Sequence, residues 1–380
     1  MPHRYRIAIL VDRWSIGGVP MVIKDHCRLL ESQGHKVKVI TYYPSNKPED
    51  LHAGFMSLEA KSRGDIKALK TLRSFFDNWQ PDVIHDHFGG LWSASFLFNK
   101  RWRRRAILHY HNEFKAVSDS PDESRKFRDS IFLRFLLKRY RIVLTVSEHN
   151  RQRLLAHSNL VESQAEVCYN SLDKEHFLSS RSQGKDVRKK HGIPGNALFI
   201  GSLGRLVYEK GFDSVVETMI ALHKKGYKAF VLVAGEGDEE IGKQIEATVA
   251  DAGLSEFLIR TGKEPNTVDY LKSLDFFLMC SRQEPFGLTI LESIACETPV
   301  VGFVPEAGGG PTEIISKYKN GVLLEKRNPD ELADVIISLF ENKSERSKLI
   351  KNASDTLNEF HPEKTLIQLE KLYHRVVNYK

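Results

Sequence analysis

Leu274-Asp275-Phe276-Phe277-Leu278-Met279, then Glu284-Pro285-Phe286-Gly287-Leu288-Thr289-Ile290-Leu291-Glu292, then Pro299-Val300-Val301-Gly302 form the stretch on which the fold turns. The first and last runs are short and almost wholly apolar, as strands covered on both faces of a sheet are. Between them a glycine turn opens a helix that reads through Ala295. A strand, a glycine turn, a helix and a second strand make one unit of a parallel α/β sheet. The turn also carries chemistry. Free backbone N–H groups at such a helix start favour a phosphate. Glu284 stands before the turn and Glu292 inside the helix, and carboxylates in those two places suit hydroxyl-rich groups on either side of a phosphate. A helix start with two surface glutamates would look the same in isolation, so the rest of the chain has to decide.

The same alternation runs in both directions from that stretch. Apolar strand candidates lie at 6–11, 36–41, 82–85, 105–110, 142–146 and 165–169, with helical stretches such as 20–33, 66–78 and 123–140 between them. The pattern restarts at Ala197-Leu198-Phe199-Ile200-Gly201 and continues through 230–234, 257–260, 275–279, 299–302 and 321–324. Two restarts in 380 residues imply two doubly wound, Rossmann-like domains facing across a cleft. Residues 1–173 would form the first and 190–360 the second, with the polar segment 174–190 as linker. The last stretch, 362–380, reads as an amphipathic helix with Leu366, Leu369, Leu372 and Tyr373 on one side.

Composition is that of an ordinary globular protein, 41% hydrophobic and 28% charged. No apolar run reaches bilayer length, and Met1 to Arg6 leads straight into a strand, so no signal peptide is expected. Cys27, Cys168, Cys280 and Cys296 lack paired ligand spacing and sit by apolar elements, which reads as reduced core thiols of a cytoplasmic protein. The net charge of +7 is uneven. Residues 1–170 carry 28 Lys and Arg against 18 Asp and Glu, and residues 171–380 carry 28 against 31. The basic excess gathers in Lys100-Arg101-Trp102-Arg103-Arg104-Arg105 and in 125–141, where seven Lys and Arg alternate with Phe127, Ile131, Phe132, Phe135 and Leu136. A basic amphipathic helix with aromatics suits an anionic membrane surface. Nucleic acid is not expected, because no binding motif or aromatic platform appears.

Ligands of open α/β sheets sit at the carboxyl ends of the strands, and glycine turns recur there. They are Gly17-Gly18, Gly201-Ser202-Leu203-Gly204-Arg205, Gly235-Glu236-Gly237 and Gly308-Gly309-Gly310. Arg205 and Lys210, five apart across a strand–loop–helix turn, could together neutralise a diphosphate leaving group, and no Asp-x-Asp at a strand end offers to hold a cation there. His111 ends the strand 105–110. His85-Asp86-His87 ends another and could be read as metal ligands, but no third partner stands at a recognisable spacing.

With these residues in hand the chain resembles the retaining glycosyltransferases of family 4, of the two-Rossmann GT-B fold. The resemblance runs through Gly17-Gly18, Gly34-His35, His111, Val146-Ser147, Tyr169-Asn170-Ser171-Leu172-Asp173, Gly204-Arg205, Glu209-Lys210-Gly211, Gly235-Glu236-Gly237 and Glu284 to Glu292. It implies transfer of a sugar from a UDP- or GDP-linked donor to an acceptor hydroxyl with retained configuration, and no metal cofactor. It implies catalytic roles for His111, Glu284, Arg205 and Lys210. Gly17, Gly18, Arg205, Lys210, Glu284, Phe286, Gly287, Leu288, Thr289 and Glu292 would bind the donor, with Glu292 on the ribose and Glu284 on the sugar. The acceptor would be a glycan, a lipid-linked glycan or a small molecule, reached from cytoplasm or the inner membrane face. The chain departs from the family pattern at Glu306 to Thr312 and at Arg141. A nucleotide-sugar epimerase of the same fold is the alternative; it needs acid/base groups around the sugar ring, where one histidine and one glutamate are in evidence.

Overall fold

The computed structural model describes residues 3–14, 17–89, 91–112, 134–178, 184–263, 266–306 and 308–378. It divides into two units, Met1–Ser171 with Pro362–Lys380, and Leu172–His361.

The first unit is built on seven parallel strands: β1 (Arg6–Val11), β2 (Lys36–Thr41), β3 (Gly54–Ser57), β4 (Val83–Asp86), β5 (Ala106–Tyr110), β6 (Ile142–Thr145) and β7 (Ala165–Val167). Their order is β3-β2-β1-β4-β5-β6-β7. Six of these were legible as apolar runs. The seventh, Gly-Phe-Met-Ser, is half-buried at the sheet edge and too short and mixed to show as one. Side chains alternate across the sheet. Ala8, Leu10, Ile84 and Leu108 face one layer, with Phe76, Phe96 and Trp102. Ile7, Ile9, Val83 and Ile107 face the other, with Ile23, Cys27 and Leu30 of the helix Gly18–Ser32 and Leu369, Leu372, Tyr373 and Val376 of the helix Pro362–Val377. Each large apolar side chain buried there contributes about 1.5–3 kcal/mol. The C-terminal helix is thus part of this unit's core.

The second unit has six parallel strands: β8 (Leu198–Leu203), β9 (Ala229–Ala234), β10 (Leu258–Gly262), β11 (Phe276–Met279), β12 (Val300–Phe303) and β13 (Gly321–Leu324), ordered β10-β9-β8-β11-β12-β13. The stretch read as a linker carries two short helices of this unit, Lys174–Leu178 and Lys185–Lys190. Arg188 ties the second of them to the sheet through Asp275 at 2.8 Å and the Ser273 carbonyl. In each unit the strand order reverses beside the first strand of that unit, between β1 and β4 and between β8 and β11. A reversal opens a crevice at the carboxyl ends, and both crevices carry the residues described next. All four cysteines are buried and free. Among the described residues no helix is long and apolar enough to cross a membrane.

Candidate functional site

In the second unit the loops beyond β8 and β11 converge through backbone contacts that only glycine allows. Gly235 has φ 147°, and a Cβ there would lie 1.7 Å from the Gly204 carbonyl oxygen. Gly211 has φ 66°, and its Cβ would meet the Cys280 oxygen at 2.0 Å. The loop 308–310 lies along 284–286. Glu284 pairs with Gly309 as an isolated parallel bridge, and a Cβ on Gly310 would lie 2.3 Å from the Phe286 Cα. The threefold glycine that departs from the family pattern is therefore what lets this second loop reach the Glu284 backbone.

Lys210 ends a short turn, Tyr208–Lys210, just before the helix Phe212–Lys224. Its stem runs past Gly204, and its ammonium meets the Glu284 carboxylate at 2.5 Å. The two side chains are only 24% and 12% exposed, so each charge depends on the other. A second clamp lies beneath. Arg282 makes a fork with Asp213 at 2.9 and 2.5 Å, stacks on Tyr208 at 4.1 Å, and donates its backbone N–H to the Glu209 carbonyl. The Arg282 guanidinium holds the Asp213 carboxyl below its usual range although burial opposes this. Arg327 donates to the carbonyls of Cys280 and Ser281, fixing the end of β11. Neither Arg282 nor Arg327 stood out in the sequence, because a lone arginine in a loop carries no local signal of what it holds.

Arg205 is exposed, and among the described residues nothing pairs with its guanidinium. It stands just past the end of β8, one residue from the Gly204 that Lys210 crosses. Gly287, φ 103°, caps the helix Leu288–Ala295 without a side-chain hydrogen bond, and the first turn holds no acidic residue. The N–H groups of Leu288 and Thr289 have no acceptor among the described residues. The Phe286 ring is buried edge-on against Phe360, which leaves its backbone at the loop. Glu292 lies one turn along the helix with its carboxyl half-buried. Desolvation pushes it up to about 7. An acid in that state gains from donors that a ligand brings.

Gly17, Gly18 and His111 belong to the first unit. Gly17, φ 155°, caps the helix Gly18–Ser32 and has open space around it; Ser15 and Ile16 lie outside the described residues. His111 follows β5, and its Nε2 shares a hydrogen bond of 2.8 Å with His87 Nδ1. Burial, with a smaller push from the His26 imidazole, brings His111 down to about 3, so it is neutral at ordinary pH.

The triplet His85-Asp86-His87 does not act as one group, because successive strand residues face opposite layers. Asp86 points into the other layer, where Ser93, Tyr140 and the N–H groups of Phe88 and Gly89 hold its carboxylate. His85 donates to or accepts from Tyr373 at 2.7 Å. His87 instead meets His26, from the helix Gly18–Ser32, and His109, from β5. The ring nitrogens of these three lie within 4.8 Å of one another, and all three are buried. The partner that spacing could not supply thus comes from two other elements. The basic run near residue 100 is split as well. Trp102 is buried against Phe76, and Arg105 donates to the Pro81 carbonyl, while Arg101 and Arg104 are exposed. Of the basic stretch 125–141, residues 125–133 lie outside the described residues.

A model of Glycosyltransferase Family 4 matches residues 16–176, and one of Glycosyl transferases group 1 matches residues 184–356. The chain is 22% identical to the N-acetyl-alpha-D-glucosaminyl L-malate synthase of Bacillus anthracis, over 96% of this chain and 95% of that one. It is 26% identical to the alpha-monoglucosyldiacylglycerol synthase of Streptococcus pneumoniae, over 84% and 74% of the two chains. The fold matches that of Anabaena HepE in complex with UDP-glucose, with a TM-score of 0.81 at 18% identity over 97% and 99% of the chains.

Proposed function

Because this chain belongs to the group 1 glycosyltransferases with the two-domain GT-B fold, we propose that it moves a hexose from a UDP- or GDP-linked donor to an acceptor hydroxyl with retained anomeric configuration. The observation that carries the reading is the Lys210–Glu284 pair standing beside an uncapped helix start, with an unpaired Arg205 on the neighbouring loop. Fixed cations and unpaired N–H groups answer the charge that develops on a departing diphosphate. In this reading Arg205, Lys210 and the N–H groups of Leu288 and Thr289 take the diphosphate. Glu292 takes the ribose hydroxyls and Glu284 those of the sugar. The Gly17-Gly18 turn covers the phosphates, and neutral His111 lies by the reacting carbon as a hydrogen-bonding group rather than a strong base. The donor's own phosphate oxygen takes the acceptor proton as the bond to the diphosphate breaks. No metal ion is needed at the diphosphate, so added Mg²⁺ or Mn²⁺ leaves turnover unchanged. The test is a panel of nucleotide sugars screened for thermal stabilisation, followed by product analysis of the best donor. A sugar attached to an acceptor through its original configuration supports the reading. An isomerised donor would support epimerisation instead.

A second observation bears on the acceptor. Phe98 and Phe135 are 59% and 43% exposed, and Arg139 stacks on both at 4.4 Å. Aromatic rings interleaved with arginines suit the interface of an anionic bilayer, and the relative from Streptococcus pneumoniae is named for a diacylglycerol product. We infer a lipid-linked acceptor or glycolipid met at the inner membrane face. Cosedimentation with anionic vesicles, lost at high salt and absent with neutral ones, tests this.

A further inference from the structure

Unit one gathers five histidines in one layer: His26, His85, His87 and His109 are buried and His111 is half-buried. Their rings form a continuous cluster, with centroids 4.2 Å apart for His85–His87 and for His109–His111, and 5.1 Å for His87–His109. A neutral imidazole brings one donor and one acceptor. Yet, among the described residues, both ring nitrogens of His26 and His109, and Nε2 of His85 and His87, have no hydrogen-bond partner. The Cys168 backbone approaches His109 outside hydrogen-bond geometry. Buried polar groups left like this cost about 1–3 kcal/mol each. Neutral imidazole nitrogens with free lone pairs, converging in a buried place, are what a borderline-soft divalent cation needs.

We propose that His26, His87 and His109 hold one such ion, Zn²⁺ by preference, at a site built wholly within the first unit. Their ligand nitrogens lie within 4.8 Å of one another, so modest ring rotations bring all three to the roughly 2.0–2.1 Å of a zinc–imidazole bond. His87 binds through Nε2, because its Nδ1 is engaged with His111 at 2.8 Å. That assignment has a consequence. A histidine that ligates through one nitrogen carries its proton on the other. His87 Nδ1–H therefore donates to His111 Nε2, which fixes the tautomer and ring orientation of His111. Asp86 takes no part, since its carboxylate is held in the opposite layer. The three ligands come from a helix, the strand β5 and the residue just past β4, so the ion pins the helix Gly18–Ser32 onto the sheet.

The test uses the full chain without a polyhistidine tag. Metal analysis should find about one Zn²⁺ per chain. Removing it with a strong chelator should lower the melting midpoint of the first unit, and Zn²⁺ at about 1,000 times its Kd should restore it by roughly 10 °C. Co²⁺ in its place, with a water as fourth ligand, should give the visible bands of a tetrahedral site. His26→Leu and His109→Leu should each abolish the metal response. Because they delete orphaned nitrogens from an apolar layer, they should melt no lower than the chelated wild type. The proposal is overturned if the purified chain neither carries nor responds to Zn²⁺ or Co²⁺. It is equally overturned if the response persists in both leucine variants, which would place the ion on surface histidines.

Discussion

Replacing Lys210 with Met should separate stability from chemistry in a way that only a buried functional ion pair can. Lys210 Nζ lies 2.5 Å from Glu284 Oε2, and the carboxylate side chain is 12% exposed. Two unit charges about 4 Å apart between their centres attract by roughly 4 kcal/mol at an effective dielectric constant near 20. Desolvation and side-chain ordering offset most of that gain, yet deleting one partner of a buried pair costs about 3–5 kcal/mol, because the other charge is stranded. Lys210 is 24% exposed, so water reaches the stranded carboxylate in part, and a loss of about 2–3 kcal/mol is expected for Lys210→Met. Adding Glu284→Gln removes the stranded charge and should recover more than about 1.5 kcal/mol of it, a coupling well beyond the ~0.5 kcal/mol of independent sites. The assay is urea unfolding of wild type, both single variants and the double variant, read on the transition that a nucleoside diphosphate shifts. Turnover should follow another pattern. Lys210→Met should lose at least about 100-fold, the scale of one lost charge partner in a transition state, and the double variant should recover none of it. Additive stabilities would mean that the pair does not form in solution. Near-normal turnover in Lys210→Met would remove the diphosphate from this loop.

Arg205→Ala should also lower turnover by about 100-fold or more while leaving the urea midpoint unchanged, since its guanidinium holds no partner among the described residues; a shifted midpoint would give it a structural role instead. Glu292 is raised from 4.5 to about 7 by burial, so its charge should cost the fold stability as pH rises through that window. Glu292→Gln should flatten the pH dependence of the melting midpoint there. Ribose hydroxyls donating to the carboxylate would lower its pKa, so nucleotide binding at pH 6.5 should release protons, seen as buffer-dependent binding heats in calorimetry. Binding without proton release would take Glu292 off the ribose. Gly235→Ala forces a Cβ to 1.7 Å from the Gly204 oxygen at a φ that strains any side chain, so a loss of about 3 kcal/mol or more is expected, with Gly253→Ala as a control for positive φ in open space. Replacing Arg103, Arg104, Arg134 and Lys138 with Ser should abolish binding to anionic vesicles without changing donor hydrolysis. Retained binding would move the membrane contact elsewhere.

The sequence alone settled what depends on neighbours a few residues apart. Short, mainly apolar runs between turn signals read as strands, so β1 and β2 were legible to the residue, and β8, β11 and β12 to within a residue or two. Glycine at strand ends marked the turns of the site, because a side chain there would collide with the facing backbone. Glu284, Gly287 and Glu292 were readable from one local frame, a helix start. The tertiary structure decided what depends on strand order and register. Lys210 and Glu284 are 74 residues apart and meet only because β8 and β11 are neighbours at the reversal of the sheet. The fork of Arg282 with Asp213 has the same origin. His26, His87 and His109 carry no common spacing, since a helix, the end of β4 and β5 deliver them to one layer, whereas Asp86, the last residue of β4, points into the opposite layer. Local chemistry fixes which side chains a chain offers, and only the register of distant segments fixes which of them share a charge or an ion.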